Sequence, residues 1–163
     1  MPNWTKCTLE VYGNEDQVND FIKKAVYTHQ DGETAPIACE AFVPCPQELT
    51  DTMAGSYGID DPKQKELEAK EKANLAKYGH KNWYDWKKEN WGVKWGLCDA
   101  TITEQGAGYI TYEFNTPWCA PQAWLAKVAK MYPRVCFDLG YVLEGYEGCG
   151  RYIYENGELD HEN

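Results

Sequence analysis

Residues 5–12 read Thr5-Lys6-Cys7-Thr8-Leu9-Glu10-Val11-Tyr12. Cys7, Leu9 and Val11 alternate with Lys6, Thr8 and Glu10, the period-two pattern of a strand with one apolar and one wet face. Gly13-Asn14 turns the chain, and Asn14 is a good N-cap with Glu15 and Asp16 behind it in the first turn. Val18, Phe21, Ile22, Ala25 and Val26 then recur at helical spacing, so a helix is expected from Glu15 to about Tyr27. A strand running straight into a helix is half of a split βαβ unit, and the rest of the chain must supply the other half.

The C-terminal half does so. Thr101, Ile102 and Thr103 favour strand within 97–104, and Gln105-Gly106-Ala107-Gly108 makes a hairpin connection. Ile110, Tyr112 and Phe114 alternate with Thr111 and Glu113, and Thr116-Pro117 breaks that strand. Pro121 opens a helix to Met131 with Trp124, Leu125, Val128 and Ala129 inward, and Pro133 ends it. Further strands are expected at 135–143 and 151–154, with Asn156-Gly157 as a tight turn and a frayed tail over 156–163. With residues 36–96 set aside, the order is strand, helix, strand, strand, helix, strand. The predicted class is therefore α+β: a ferredoxin-like antiparallel sheet with helices on one face, in a single domain over 1–163.

Residues 36–96 form a helical insertion between the first helix and the second strand. Ile37, Cys39, Ala41 and Val43 alternate with Ala38, Glu40 and Phe42, which predicts a short strand closed by Pro44 and Pro46. Residues 47–61 are rich in turn-formers and predict an irregular excursion. Asp61-Pro62 starts a charged helix over 63–78, with Glu66–Lys70 and Glu68–Lys72 as favourable pairs and Gly79 as its stop. A second helix follows in Trp83-Tyr84-Asp85-Trp86-Lys87-Lys88-Glu89-Asn90-Trp91, stopped by Gly92. Trp83, Trp86 and Trp91 share one side of this helix. Three indoles on one face read first as a wedge of core that seats the insertion on the sheet. Tryptophan is also enriched at binding hot spots. The candidate contact residues are therefore Asn90, Trp91, Lys94 and Trp95, joined by Trp118.

Several motifs come in a fixed order: Met1-Pro2-Asn3-Trp4, Phe42-Val43-Pro44-x-Pro46, Trp83-Tyr84-Asp85-Trp86, Glu89-Asn90-Trp91-Gly92-x-Lys94-Trp95, Thr116-Pro117-Trp118-x-x-Pro121 and Gly145-x-x-Gly148. Together they resemble the YubB ferredoxin-like domain family, small proteins carried on phages and plasmids. The resemblance runs from residue 1 to about 150, and Asn90-Trp91-Gly92-x-Lys94-Trp95 is its most specific part. Two positions depart from the pattern: Val93 stands where the family carries Thr, and Gly96 where it carries a polar residue. The resemblance implies a ferredoxin-like fold and a mobile-element origin. It brings no activity, and the fold name implies no iron–sulfur cluster.

Composition narrows the chemistry. The 163 residues carry a net charge of −10. Residues 62–95 hold nine Lys against five acids, so a basic block sits in an acidic body. That body argues against general affinity for a phosphate backbone. The seven cysteines contain no C-x-x-C pair, so no metal or cluster ligand set is expected, and they read as reduced thiols in a cytoplasm. Met1-Pro2-Asn3-Trp4 is no apolar leader, and no run of apolar residues is long enough for a membrane span. His29, His80 and His161 stand in no nucleophile signature. Glu144 and Glu147, near Tyr141 and Tyr146, are the nearest approach to an acid–base pair and read as a solvated loop. Gly106-x-Gly108 and Gly145-x-x-Gly148-x-Gly150 lack the Lys-Ser/Thr ending of a phosphate loop. Tyr109, Tyr112, Tyr141 and Tyr152 are strand aromatics of the kind that stack on RNA bases, but acidic strands surround them.

The expectation is a non-catalytic binding protein of a phage or mobile element. It would act in the host cytoplasm by binding or blocking a host component, such as a defence factor, with no cofactor and no metal. One alternative is capture of a nucleotide or other small anion by Trp91, Trp95 or Trp118 with Lys87, Lys88 or Lys94. Others are a nucleic-acid-binding module and an enzyme with a Cys nucleophile.

Overall fold

A central strand, β1 (Trp4–Gly13), carries the alternation read from residues 5–12, with Cys7, Leu9 and Val11 fully buried. The computed structural model describes residues 3–146 and 148–163. Met1 and Pro2 of the opening motif, and Glu147 of the Glu144/Glu147 pair, lie outside the described residues. After β1 comes α1 (Glu15–Ala25), whose N-cap Asn14 accepts the Gln17 N–H at 3.1 Å. A small hairpin of β2 (Tyr27–Thr28) and β3 (Thr34–Ala35) follows. The inserted block holds a 3-10 turn at Cys39–Ala41, then α2 (Gln47–Thr50), α3 (Pro62–Tyr78) and α4 (Trp83–Trp91). The remainder is β4 (Cys98–Gly106), β5 (Tyr109–Pro117), α5 (Gln122–Met131), β6 (Val135–Leu143), β7 (Cys149–Glu155) and β8 (Glu158–Glu162).

The sheet order is β4-β5-β1-β6-β7-β8, antiparallel throughout. The first four of these strands, with α1 and α5, make the ferredoxin-like arrangement, and the β7–β8 hairpin extends it at the β6 edge. Leu9 lies opposite Tyr112 on one side and Leu139 on the other, so one face of three strands is continuous core. Phe21 of α1 sits at its centre. It stacks on Phe42 at 5.0 Å and meets Tyr112, Tyr132 and Phe137 edge-on. On the opposite face, Thr8 lies across from Glu113, and Glu10 across from Asp138. Asp138 is buried there and is held by the Arg151 guanidinium, with Nε donating to Oδ1 at 2.6 Å.

The structure corrects three local expectations. Residues 37–43 form no strand. A 3-10 turn brings positions three apart to the same side, so Cys39 and Phe42 both face the core. That places Phe42, expected on the polar side, against Phe21. The tail does not fray either. Asn156 (φ 53°) and Gly157 (φ 79°) both take left-handed backbone, as a two-residue type I′ hairpin turn requires. β8 therefore pairs with β7, and Asn163 exchanges two backbone bonds with Arg151 at 3.0 and 3.1 Å. Residues 47–61 begin with the short helix α2 rather than running irregular throughout.

The core leaves some polar atoms without partners. Among the described residues, the buried Tyr112 hydroxyl, Trp124 Nε1 and Thr5 Oγ1 have no hydrogen-bond partner. An orphaned hydroxyl keeps its desolvation cost in the folded state. Tyr112→Phe is therefore expected to raise stability by about 1 kcal/mol, read as a higher urea midpoint at unchanged slope.

Several phenols are also held neutral. The Cys136 hydrogen bond, then burial, pushes Tyr12 up to about 12. Burial, then the Tyr141 hydroxyl, pushes Tyr152 up to about 12. Burial drives Tyr112 and Tyr132 higher still. A folded-state value above the free one favours folding in full below about pH 10, and that contribution is lost as pH rises through about 12. Ultraviolet titration of the folded protein is expected to show these phenols lagging the rest, with alkaline unfolding in the same window. A single unshifted titration of all tyrosines would contradict this.

Candidate binding site at the tryptophan segment

The helix α4 is cut cleanly at both ends. Asn82 Oδ1 accepts the N–H groups of Tyr84 and Asp85 at 3.0 and 3.3 Å. Gly92, at φ 82°, closes the helix by donating its N–H to the Lys88 carbonyl at 3.1 Å. Within this frame the indoles part company. Trp91 is fully buried, and its Nε1 donates to the Val43 carbonyl at 2.8 Å. Trp86 packs edge-on against it at 6.0 Å. Asn90 donates from Nδ2 to the Trp86 carbonyl at 2.9 Å and accepts Lys127 of α5 at Oδ1. Trp91 and Asn90, expected as contact residues, thus have their polar groups engaged inside the protein. The indole is the seat of the insertion, and the amide bonds back to Trp86 within α4 at one end and ties the helix to α5 through Lys127 at the other.

Trp83 goes the other way. Expected in the core wedge, it stands at the first turn of α4 and lines a surface groove of about 370 Å³ with Ala54, Gly55, Asn82, Tyr84, Lys94 and Trp95. Each aromatic wall carries a lysine over its ring. Lys87 lies 5.5 Å from the Trp83 centroid, Lys88 5.3 Å from Tyr84 and Lys94 4.3 Å from Trp95. Of the three only Lys94 lines the groove, while Lys87 lies nearer the Trp91 ring, at 4.6 Å, and lines a different hollow. Trp95 is 38% exposed and tilts against Trp4 at 6.2 Å. Sequence reasoning passed over Trp4, whose signal was a large apolar residue placed at the first position of a strand.

Trp118 lies at the end of β5, where Pro117 pairs with Trp4. It is 57% exposed and takes φ 71°, a left-handed backbone that a bulky residue rarely adopts. Three hydrogen bonds hold the turn. Trp118 N–H donates to the Asn3 carbonyl at 2.9 Å, Cys119 N–H to the Pro117 carbonyl at 2.9 Å, and Thr116 Oγ1 to the Cys119 carbonyl at 2.7 Å. The Glu144 carboxylate accepts the Trp4 N–H at 2.8 Å, which gives it a structural use.

Other chemistry finds weak footing. Burial raises Cys7 to about 12 and holds Cys39 well above the usual thiol range, and Cys45, Cys98, Cys119 and Cys136 are raised as well. A nucleophilic thiol needs the opposite direction. Alkylation at neutral pH is expected to modify the exposed Cys149 and to spare the buried Cys7 and Cys39 until the chain unfolds, as intact and digested masses would show. Among the described residues, no group of three or more His, Cys, Asp or Glu is placed to hold a metal ion. No helix among them is long and apolar enough to cross a membrane. Of the four strand tyrosines, Tyr112 is buried in the core, and Tyr141 and Tyr152 stack on each other at 5.6 Å.

Residues 90–162, from the last turn of α4 to the end of β8, match the family described as the ferredoxin-like domain in Api92-like protein. That match takes in less than half of the chain. The chain is also similar to the uncharacterized protein YubB of Escherichia coli (strain K12), with 36% identity over 78 residues. That alignment takes in 47% of this chain and 53% of YubB, so the chain spans about half of its relative's length. The crystal structure of the api92 protein from Yersinia pseudotuberculosis superposes with a TM-score of 0.61. The superposition covers 100% of this chain and 98% of that one at 8% identity, which establishes a shared fold. The YubB-like resemblance and the ferredoxin-like class are thus both borne out. Asn90, Trp91, Lys94, Trp95 and Trp118 all fall in the Api92-like segment, whereas Ala54, Gly55 and Trp83 come from the block before it. Of the seven residues that line the groove, five precede the Api92-like segment and two, Lys94 and Trp95, lie within it.

Proposed function

We propose that the chain is a non-catalytic binding protein of a phage or plasmid that acts in the host cytoplasm by occupying the surface of a host protein, a defence factor being one such target. The contact is made at the end of β5, where Trp118 is bonded through its backbone to Asn3 beside the Trp4–Trp95 ring pair. The observation that carries this reading is Trp118, a large indole 57% exposed on a strained backbone that three hydrogen bonds hold in place. Strained, over-determined positions gather at functional sites, and exposed tryptophans on rigid backbone make good anchors. The acidic body suits a basic partner surface. The mobile-element origin is supported by the resemblance carried by the Asn90–Trp95 motif. The raised thiols supply no nucleophile.

The test is affinity capture from bacterial lysate with the native chain and with Trp118→Ala. A side chain more than half exposed leaves little core behind, so the variant is expected to keep its melting temperature. A partner bound through Trp118 is expected to lose affinity by roughly thirtyfold or more, the range of a hot-spot residue. Capture of the same proteins by both chains, or of none, defeats the reading.

A further inference from the structure

We infer that the groove between Trp83 and Trp95 is a binding site for a small planar aromatic anion, of the size and chemistry of a nucleoside monophosphate. Its volume of about 370 Å³ lies within the span of small-molecule sites, roughly 300–1,000 Å³. Its walls offer two indoles and a phenol, and its cation is Lys94, held over the Trp95 ring. Among the described residues Lys94 has no ion-pair partner.

The groove carries no carboxylate, in a chain of net charge −10. Four other hollows each carry at least one: Glu40 in the largest, Glu113 on the open sheet face, Glu66 beside α3 and Glu144 beside Trp4. Those hollows hold basic groups too, Lys87 in the first, Lys6 and Arg151 in the second, Lys63 and Lys70 in the third and Lys6 in the fourth, but each shares its hollow with a carboxylate, whereas Lys94 here does not. Asn82 adds direction. Its Oδ1 is occupied by the N–H groups of Tyr84 and Asp85, so only its Nδ2 donors remain to meet a ligand atom. A flat ring packs against the indoles, and the anionic group meets Lys94. An uncharged nucleoside keeps only the first of these contacts, and inorganic phosphate only the second.

Binding is read by quenching of tryptophan fluorescence and by the shift in melting temperature, with adenosine, guanosine, cytidine and uridine monophosphates, adenosine alone and inorganic phosphate as probes. At least one monophosphate is expected to bind about tenfold more tightly than adenosine or phosphate alone, equivalent to about 1.4 kcal/mol. Lys94→Ala is expected to lower that affinity by about tenfold and to leave adenosine unaffected. Trp95→Phe, which keeps a ring and the fold, is expected to weaken both, and Lys72→Ala on α3 neither. Absence of quenching and of thermal shift with every monophosphate at millimolar concentration overturns the proposal, as does phosphate alone matching the monophosphates or Lys94→Ala changing nothing. These readouts need no partner protein, so their failure and the failure of the protein-binding reading are separable.

Discussion

Trp91→Ala is expected to cost about 3–5 kcal/mol of folding stability, the range for deleting a fully buried large aromatic. The effect has two parts. The indole is completely buried between the insertion and the sheet-covering helices, so its removal leaves a cavity that Trp86 alone cannot fill. It also strips the Val43 carbonyl of its donor. Trp91→Phe separates the two, because it retains most of the apolar area and loses only the N–H. That variant is expected to cost about 1–3 kcal/mol, the penalty of an orphaned buried acceptor. With total stabilities of roughly 5–15 kcal/mol, the alanine variant lies close to unfolding at ordinary temperature. Urea denaturation measures both. An alanine variant within 1 kcal/mol of the native chain would mean that Trp91 does not seat the insertion.

Phe21→Ala is expected to have an effect of similar size, about 3–5 kcal/mol, for a different reason. Phe21 joins three parts of the chain through ring contacts: Tyr112 and Phe137 in the sheet, Tyr132 after α5, and Phe42 in the insertion. The stack on Phe42 at 5.0 Å is the aromatic contact between α1 and the inserted block that a double-mutant cycle can isolate. Phe21→Ala, Phe42→Ala and the double variant are expected to show a coupling of about 0.5–1.5 kcal/mol beyond additivity. Additivity within about 0.3 kcal/mol would mean that the insertion rides on the sheet without sharing its core. A coupled result places residues 36–96 inside the same cooperative unit as the sheet.

Much of this architecture is legible along the chain. The alternation at residues 5–12 and 109–115 marks strands because one face of each is core and the other is wet. Asn14 and Asp61 announce helix starts because each side chain caps the first turn it precedes. The candidate site was harder to read. Asn90, Trp91, Lys94 and Trp95 are neighbours in sequence, yet the first two serve packing and the last two line a groove. Trp83, expected in the core wedge, and Trp4, read only as part of an opening motif, complete the aromatic surface. Phe42 was misassigned because alternation presumed a strand, where the 3-10 turn repeats every three residues. The tail was misassigned because its strand has every side chain exposed, so no hydrophobic pattern marks it.

The sequence by itself determined the strand, helix, strand, strand, helix, strand order of the central unit, its ferredoxin-like class and the YubB-like kinship. All of these follow from local period, capping and motif. Only the tertiary structure decided which indoles remain at the surface. The acceptor that buries Trp91 is 48 residues away, and the lysine that occupies Asn90 is 37 residues away. Periodicity states that Trp83, Trp86 and Trp91 share a side of one helix. What that side meets along its length depends on where distant segments end, and α4 projects its first turn past them.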